Sequence, residues 1–156
     1  MTANTNENVL TLDSGETLIP LLESGIALPL RITGYSMRPF LKQNRDTVWL
    51  VKSTSLHRGQ ILFFRRTDGT FVLHRLRRIC ADNRLIMNGD AQRWCEIITP
   101  EQIVAVVCAM TIHGKKCPAD AWYIKLRDFL WYPTRSFRPF LFRLSSRLLS
   151  LFSKQV

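Results

Sequence analysis

Two polar side chains stand out because their neighbours would leave them available for chemistry. Ser36 lies in "RITGYSMRPFLK", where Gly34 and Pro39 bracket it closely enough to bend the backbone and expose its hydroxyl. His74 lies in "TFVLHRLRRI", a segment with the composition of a strand. A neutral imidazole within hydrogen-bond reach takes the proton of a serine hydroxyl as that hydroxyl attacks a carbonyl carbon. The pair therefore suggests a serine nucleophile with a histidine base.

The pattern around His74 also admits a structural interpretation. With the two-residue period of a strand, His74 shares a face with Val72 and Leu76, whereas Arg75 and Arg77 point to the other face. A single histidine on an apolar face is more often a core residue with satisfied hydrogen bonds than a catalytic base. Both interpretations stay open on these residues alone.

A catalytic histidine needs a third group to fix its tautomer, and two carboxylates follow it in the chain. The segment "IMNGDAQRWCE" offers Asp90 at the end of a strand and Glu96 six residues later. Either carboxylate could accept a hydrogen bond from the imidazole and stabilise the charge that forms on it. Taken alone, "NGD" is also an ordinary turn sequence.

The elements that must position these side chains are mostly strands. Short runs rich in β-branched and aromatic residues are separated by turn chemistry such as "TDGT", with no helical pattern between them. These runs are "LPLRITG", "TVWLVK", "QILFFRR", "TFVLHRLRRI", "RLIMNGD" and "EQIVAVVCAMTIHG". Before them, "GETLIPLLESGIA" places four apolar residues on one helical face and predicts a short helix that ends at Ser24-Gly25, despite Pro20. The pattern predicts a mainly β core with a short N-terminal helix.

Composition narrows the functional classes. The 156 residues are enough for one domain with a buried hydrophobic core. The 22 Lys and Arg residues against 12 Asp and Glu residues give a net charge of +10, which favours an anionic partner. No C-x-x-C pair occurs among the four cysteines, so we predict no metal, no cofactor and reduced thiols. The N-terminus lacks the basic start of a signal peptide, and the longest apolar run, residues 103–114, is too short for a transmembrane helix.

The composition changes near residue 119. Residues 121–156 hold seven Lys or Arg against one acid, together with nine of the sixteen aromatic residues. A helical projection of residues 136–154 gives a narrow cationic stripe opposite a broad apolar arc. Such a helix would pack on the β core or a second subunit, or lie on an anionic membrane surface. The wide apolar arc disfavours nucleic acid as the partner.

Five segments in order resemble the conserved boxes of a known superfamily. "GYSMRPFL", "DTVWLV", "RGQILFF", "VLHRLRRI" and "MNGDAQRWCE" are similar to those of the type I signal peptidases, a superfamily that also contains the LexA-like self-cleaving repressors. The similarity covers about residues 28–114 and implies a coiled β-sheet core with serine peptidase activity. Members use a lysine or a histidine as general base, and "HR" here resembles the endoplasmic-reticulum, archaeal and sporulation-associated histidine forms.

The resemblance implies a role for each candidate. Ser36 would be the nucleophile, His74 the general base, and Asp90 or Glu96 the acid that orients the imidazole. We rank Asp90 above Glu96 because Asp90 matches the first Asp of the "GD" box, whereas Glu96 falls where a second acid often lies.

The bend around Ser36 would supply the oxyanion donors and the contacts with substrate. The Ser36 amide would be one oxyanion donor, and a backbone N–H at Gly34 would be the second, since Gly34 stands where some members carry a hydroxyl. Met37 would anchor the bend in the core, and Tyr35 and Met37 are the predicted substrate-contacting residues.

The chain departs from both familiar subtypes of the superfamily. Only 35 residues precede Ser36, without the membrane anchor of the signal peptidases, and the Ala-Gly or Cys-Gly bond that the repressors cut does not occur. We predict a stand-alone serine endopeptidase that cleaves a leader or precursor polypeptide, cytoplasmic or peripheral at the inner membrane face. The alternative is a non-catalytic peptide-binding or regulatory module on the same scaffold. The predicted parts are a flexible N-terminus (1–14), a β catalytic domain (15–118) and a basic amphipathic helical tail (119–156).

Overall fold

The computed structural model describes residues 15–138 and residue 140, and the predicted flexible N-terminus lies outside this range. The first helix, α1, spans Gly15–Glu23 and includes Pro20, as the sequence predicts. Its buried face carries Leu18 and Leu22. Gly25 ends the helix with a φ of 78°, a left-handed conformation that glycine adopts without steric cost.

Eight strands follow, and the prediction of a mainly β protein is confirmed. Their bounds are β1 Leu28–Arg31, β2 Thr47–Val51, β3 Ile61–Arg65, β4 Phe71–Ile79, β5 Leu85–Asn88, β6 Glu96–Ile98, β7 Ile103–Ile112 and β8 Lys115–Pro118. They form one antiparallel sheet in the order β1-β2-β7-β3-β4-β5-β6, and β8 also pairs with β7. Sequence patterns did not predict β6, whose three residues are too few to show an alternation, or β8, whose sequence "KKCP" lacks the β-branched and aromatic residues typical of strands.

Apolar side chains of the sheet form two buried clusters on opposite faces. The first cluster includes Phe63 and Leu73 together with residues of α1. The second cluster includes Phe64 and Leu76, which alternate with those residues along β3 and β4. The ring of His74 lies 6.0 Å from that of Phe64, so His74 belongs to the face of the second cluster, as the strand period predicts.

A helical segment follows the sheet. Helix α2 spans Trp122–Trp131 and continues as a 3-10 helix over Tyr132–Phe137. Ile124 is buried against the first cluster and anchors α2 on the sheet. The predicted amphipathic helix of residues 136–154 lies mostly outside the described residues. In the part of the chain that the structure describes, no helix has the length and apolar character needed to cross a bilayer.

Candidate active site

The bend that carries Ser36 is fixed from both sides. Gly34 has a φ of 78°, a left-handed conformation that is costly for residues with a Cβ. The Arg38 N–H donates to the Tyr35 carbonyl at 3.1 Å and closes the turn around the half-buried Ser36. Met37 is 2% exposed and packs in the first cluster. The structure thus gives Met37 the anchoring role and leaves it almost no surface for a substrate.

The backbone of Ser36 is held against the turn that follows β5. The Ala91 N–H donates to the Ser36 carbonyl at 2.8 Å. A Cβ on Gly89 would lie 2.8 Å from the same carbonyl oxygen and equally close to the Gln92 side chain. Because real Cβ atoms do not approach so closely, glycine is required here. The close contact ties the serine bend to the sheet that carries His74.

The imidazole of His74 is buried and makes a specific contact with one carboxylate. Its Nδ1 meets Oε1 of Glu96 in an ion-pair contact, although the geometry is not that of a regular hydrogen bond. A carboxylate at Nδ1 favours the tautomer with the proton on that nitrogen, which leaves a lone pair on Nε2. Nε2 is buried without a hydrogen-bond partner among the described residues. The Ser36 hydroxyl is therefore not hydrogen-bonded to Nε2.

Strand register explains why Glu96 reaches the imidazole. Glu96 pairs with Met87 across β5 and β6, and Met87 pairs with Leu76 on β4. Residues directly opposite in adjacent strands point to the same face, and Leu76 shares its face with His74 two residues earlier. Two successive strand pairings therefore place the Glu96 carboxylate beside the imidazole.

Glu96 is held as an anion by a second partner that sequence reasoning missed. Arg66 donates two hydrogen bonds to it, at 2.8 Å from Nε and 3.1 Å from Nη2. Burial favours the protonated acid, but the contacts with His74 and Arg66 outweigh it and lower the pKa of Glu96 from 4.5 to about 2. An ionised carboxylate beside Nδ1 stabilises positive charge on the imidazole ring.

Asp90, ranked first from the sequence, has a different set of partners. Its carboxylate is fully buried and accepts two hydrogen bonds from Arg75, at 3.1 and 2.8 Å, and one from Arg77 at 2.9 Å. Burial alone would raise the pKa of Asp90, but the charges of the arginines lower it. The structure therefore corrects the ranking, since Glu96 and not Asp90 contacts His74.

The arginines that bind Asp90 also join the sheet to α2. Asp128 of α2 lies 2.6 Å from Nη1 of Arg77 and 3.1 Å from Nε of Arg75. Trp131 donates its indole N–H to the Asp90 carbonyl at 2.6 Å. The strand period had placed these arginines opposite His74 without indicating that they are buried.

Arg138 holds the turn that follows β5, although the sequence indicated it only as one of the cations of the tail. It is fully buried, and its Nη1 donates to the carbonyls of Gln92 at 2.7 Å and Gly89 at 3.3 Å, and to Asn88 Oδ1 at 3.2 Å. These acceptors surround the turn that binds the Ser36 carbonyl. Arg138 therefore fixes the far side of that turn.

Backbone donors for an oxyanion are available at the bend. Among the described residues, the N–H groups of Ser36 and Gly34 donate to no acceptor. Free amides next to a nucleophile can stabilise the charge on a tetrahedral oxygen. Across the same residues, no group of three or more His, Cys, Asp or Glu side chains is placed to hold a metal ion.

Two surface cavities lie elsewhere on the molecule. Neither is lined by Ser36, His74 or Glu96. One, of about 700 Å³, lies between the sheet and α2. The other, of about 730 Å³, is lined by arginines.

Comparison of the chain with protein-family models, curated proteins and solved structures finds no match. A functional assignment must therefore come from the side chains of this molecule.

Proposed function

We propose that this chain is a serine endopeptidase related to the type I signal peptidases and LexA-like repressors. Ser36 is the nucleophile, His74 the general base and Glu96 the acid that orients the base. The observation that carries the proposal is the buried imidazole, which meets an ionised carboxylate at Nδ1 and keeps Nε2 without a partner among the described residues. An imidazole oriented in this way could accept the serine proton at Nε2.

The reaction follows from these groups. Nε2 of His74 accepts the Ser36 hydroxyl proton as Oγ attacks the carbonyl carbon of a peptide bond, and Glu96 stabilises the imidazolium. The amides of Ser36 and Gly34 stabilise the tetrahedral oxyanion. The imidazolium then protonates the leaving amine, and water, deprotonated by the same nitrogen, hydrolyses the acyl-enzyme. The structure shows no hydrogen bond between the Ser36 hydroxyl and Nε2, so the mechanism requires the two groups to come together when substrate binds.

A polypeptide is the substrate class we propose, with a leader or precursor peptide as the example. Tyr35 precedes the nucleophile and is 57% exposed, and its ring is stacked by the Arg38 guanidinium at 4.3 Å. An exposed aromatic ring beside the serine offers a contact for a substrate side chain.

The test is cleavage of candidate precursor polypeptides by the purified chain, followed by mass spectrometry. The wild-type protein should release two fragments, and Ser36→Ala should release none. Ser55→Ala, at an exposed serine away from the site, is the matched control and should cleave normally. Equal cleavage by wild type and Ser36→Ala would remove the proposal.

A non-catalytic peptide-binding module is the second candidate. The observation in its favour is that the Ser36 hydroxyl does not hydrogen-bond to Nε2 of His74. In this case the wild-type protein should bind a precursor peptide without cutting it, and Ser36→Ala should bind with unchanged affinity. Calorimetric titration of both proteins with the same peptide separates the two functions.

A further inference from the structure

A cationic cleft lies at the junction of β4, β5 and the 3-10 helix. Its volume is about 730 Å³, and its lining contains no acidic residue. We call it the arginine cleft, and it is lined by Arg58, Arg77, Arg78, Ile79, Ile86, Cys95, Tyr132 and Arg135.

Most of the charge in this cleft is uncompensated. Arg77 is neutralised by Asp90 and Asp128. Arg58, Arg78 and Arg135, by contrast, have no carboxylate within ion-pair distance among the described residues. Instead, Arg135 donates to Cys95 Sγ at 3.0 Å, and its guanidinium lies 5.7 Å from the centre of the Tyr132 ring. Three guanidinium groups that line one cleft without a carboxylate partner among the described residues form a site for an anion, above all for a phosphate group.

The arginine cleft borders an exposed apolar face. Arg58 and Tyr132 line both the cleft and the neighbouring cavity, whose wall includes Phe129 of α2. We define the α2 face as the large exposed apolar side chains of the helical segment: Trp122, Leu126, Phe129, Leu130, Phe137 and Phe140, each between 47% and 74% exposed. A concentration of this kind on one short segment marks an interaction surface.

We propose that the arginine cleft and the α2 face together bind the surface of an anionic phospholipid bilayer. A lipid phosphate occupies the cleft, and the aromatic side chains enter the boundary between headgroups and acyl chains, where such rings are favoured. Charge complementarity supports this partner, because the chain carries a net charge of +10. The same charge disfavours a second copy as the occupant, and the adjoining apolar face disfavours nucleic acid.

Vesicle co-sedimentation of the full chain tests the proposal. The protein should sediment with vesicles of phosphatidylcholine mixed with phosphatidylglycerol, and not with vesicles of phosphatidylcholine alone. One arginine near an anionic surface contributes about a fivefold factor, so Arg58→Gln combined with Arg78→Gln should weaken partitioning about 30-fold. Phe129→Ser combined with Leu130→Ser should weaken it at least about tenfold, because both side chains would leave the interface.

Matched control variants test whether vesicle binding depends on this site or only on the overall charge and hydrophobicity of the protein. Arg31→Gln with Lys115→Gln removes the same charge from exposed positions of β1 and β8, and Ile26→Ser removes an exposed apolar group beyond α1. These controls should bind like the wild type. The proposal fails if they lose as much binding as the site variants, or if the site variants bind normally. It also fails if soluble glycerol phosphate binds the cleft as tightly as vesicles do, or if DNA retention and not vesicle binding depends on Arg58 and Arg78.

Discussion

Glu96 and Asp90 lie six residues apart, yet they belong to two different environments. Glu96 is 21% exposed at its side chain and shares its charge between an imidazole and Arg66. Asp90 is fully buried and is bound by Arg75 and Arg77, whose guanidinium groups do not release protons near neutral pH. A carboxylate beside a titratable ring can stabilise a proton transfer, whereas one locked between permanent cations cannot. The comparison gives Asp90 a structural role and leaves Glu96 as the candidate partner of the proposed base.

The largest effect should come from Glu96→Gln. The amide of glutamine can donate to Nδ1, which forces the proton onto Nε2 and removes the lone pair that accepts the serine proton. In a serine hydrolase the equivalent change lowers the rate about 10⁴-fold, and we expect a loss of that order in kcat/KM. Arg66→Gln is the control, because it removes the other partner of Glu96 and leaves the imidazole contact. If Arg66→Gln lost as much activity, Glu96 would be acting through the arginine.

Asp90→Asn should produce the largest change in stability. It removes the fully buried anion of two buried arginines and leaves them only the more exposed Asp128, and breaking a buried ion pair costs about 3–5 kcal/mol of unfolding free energy. Urea denaturation measures the loss. Asp128→Asn removes the more exposed partner of the same arginines and should cost less. A change smaller for Asp90→Asn than for Asp128→Asn would contradict the architectural role.

Gly89→Ala tests whether the turn next to Asp90 positions the bend that carries Ser36. The new Cβ would lie 2.8 Å from the Ser36 carbonyl oxygen, so the bend must shift. A displacement of about 1 Å at a catalytic group costs about 100-fold in rate, and we expect a fall in kcat with little change in KM. Gly69→Ala lies at a distant turn, where the glycine has a φ of 86° but a new Cβ would meet no close backbone atom, and it should leave the kinetics unchanged. Equal kcat for wild type and Gly89→Ala would show that the contact does not position Ser36.

The smallest effect is the acid dependence of stability. Because the folded pKa of Glu96 is about 2 against an ordinary 4.5, its ionisation stabilises the fold fully above pH 4.5. This contribution is lost as the pH falls from 4.5 through about 2, and for a partly exposed group we expect about 1–2 kcal/mol. Thermal unfolding across this range should show a shallower slope for Glu96→Gln than for the wild type. Parallel curves would show that Glu96 has no depressed pKa.

Local patterns were sufficient to predict α1, six of the strands and the face of β4 on which His74 lies. The choice between Asp90 and Glu96 depended on register, which no local pattern encodes. Met87 of β5 pairs with Leu76, which lies on the same face as His74. The next residue, Asn88, pairs with Arg75, whose side chain points to the other face. A shift of one residue in the pairing would therefore exchange the two faces. The three-residue strand β6, which returns Glu96 to the imidazole, is too short to predict.

The arginine contacts could not be predicted for a related reason. Arg77 and Asp128 are 51 positions apart, and Arg138 and Asn88 are 50 apart. Pairs so distant are brought together only by the docking of α2 and the 3-10 helix on the sheet. The sequence left packing on the core and contact with a membrane surface open for this segment, and the structure shows that one side carries buried ionic contacts and the other an exposed apolar face.

Covalent labelling of Ser36 tests the central claim most directly. A serine-directed fluorophosphonate should form one adduct, mapped by mass spectrometry to Ser36, because in the proposed mechanism the imidazole of His74 activates that hydroxyl. The adduct should be absent from Ser36→Ala and strongly reduced in His74→Gln. A wild-type protein that stays unlabelled, or labelling of Ser36 that is unaffected by the loss of His74, would contradict the account.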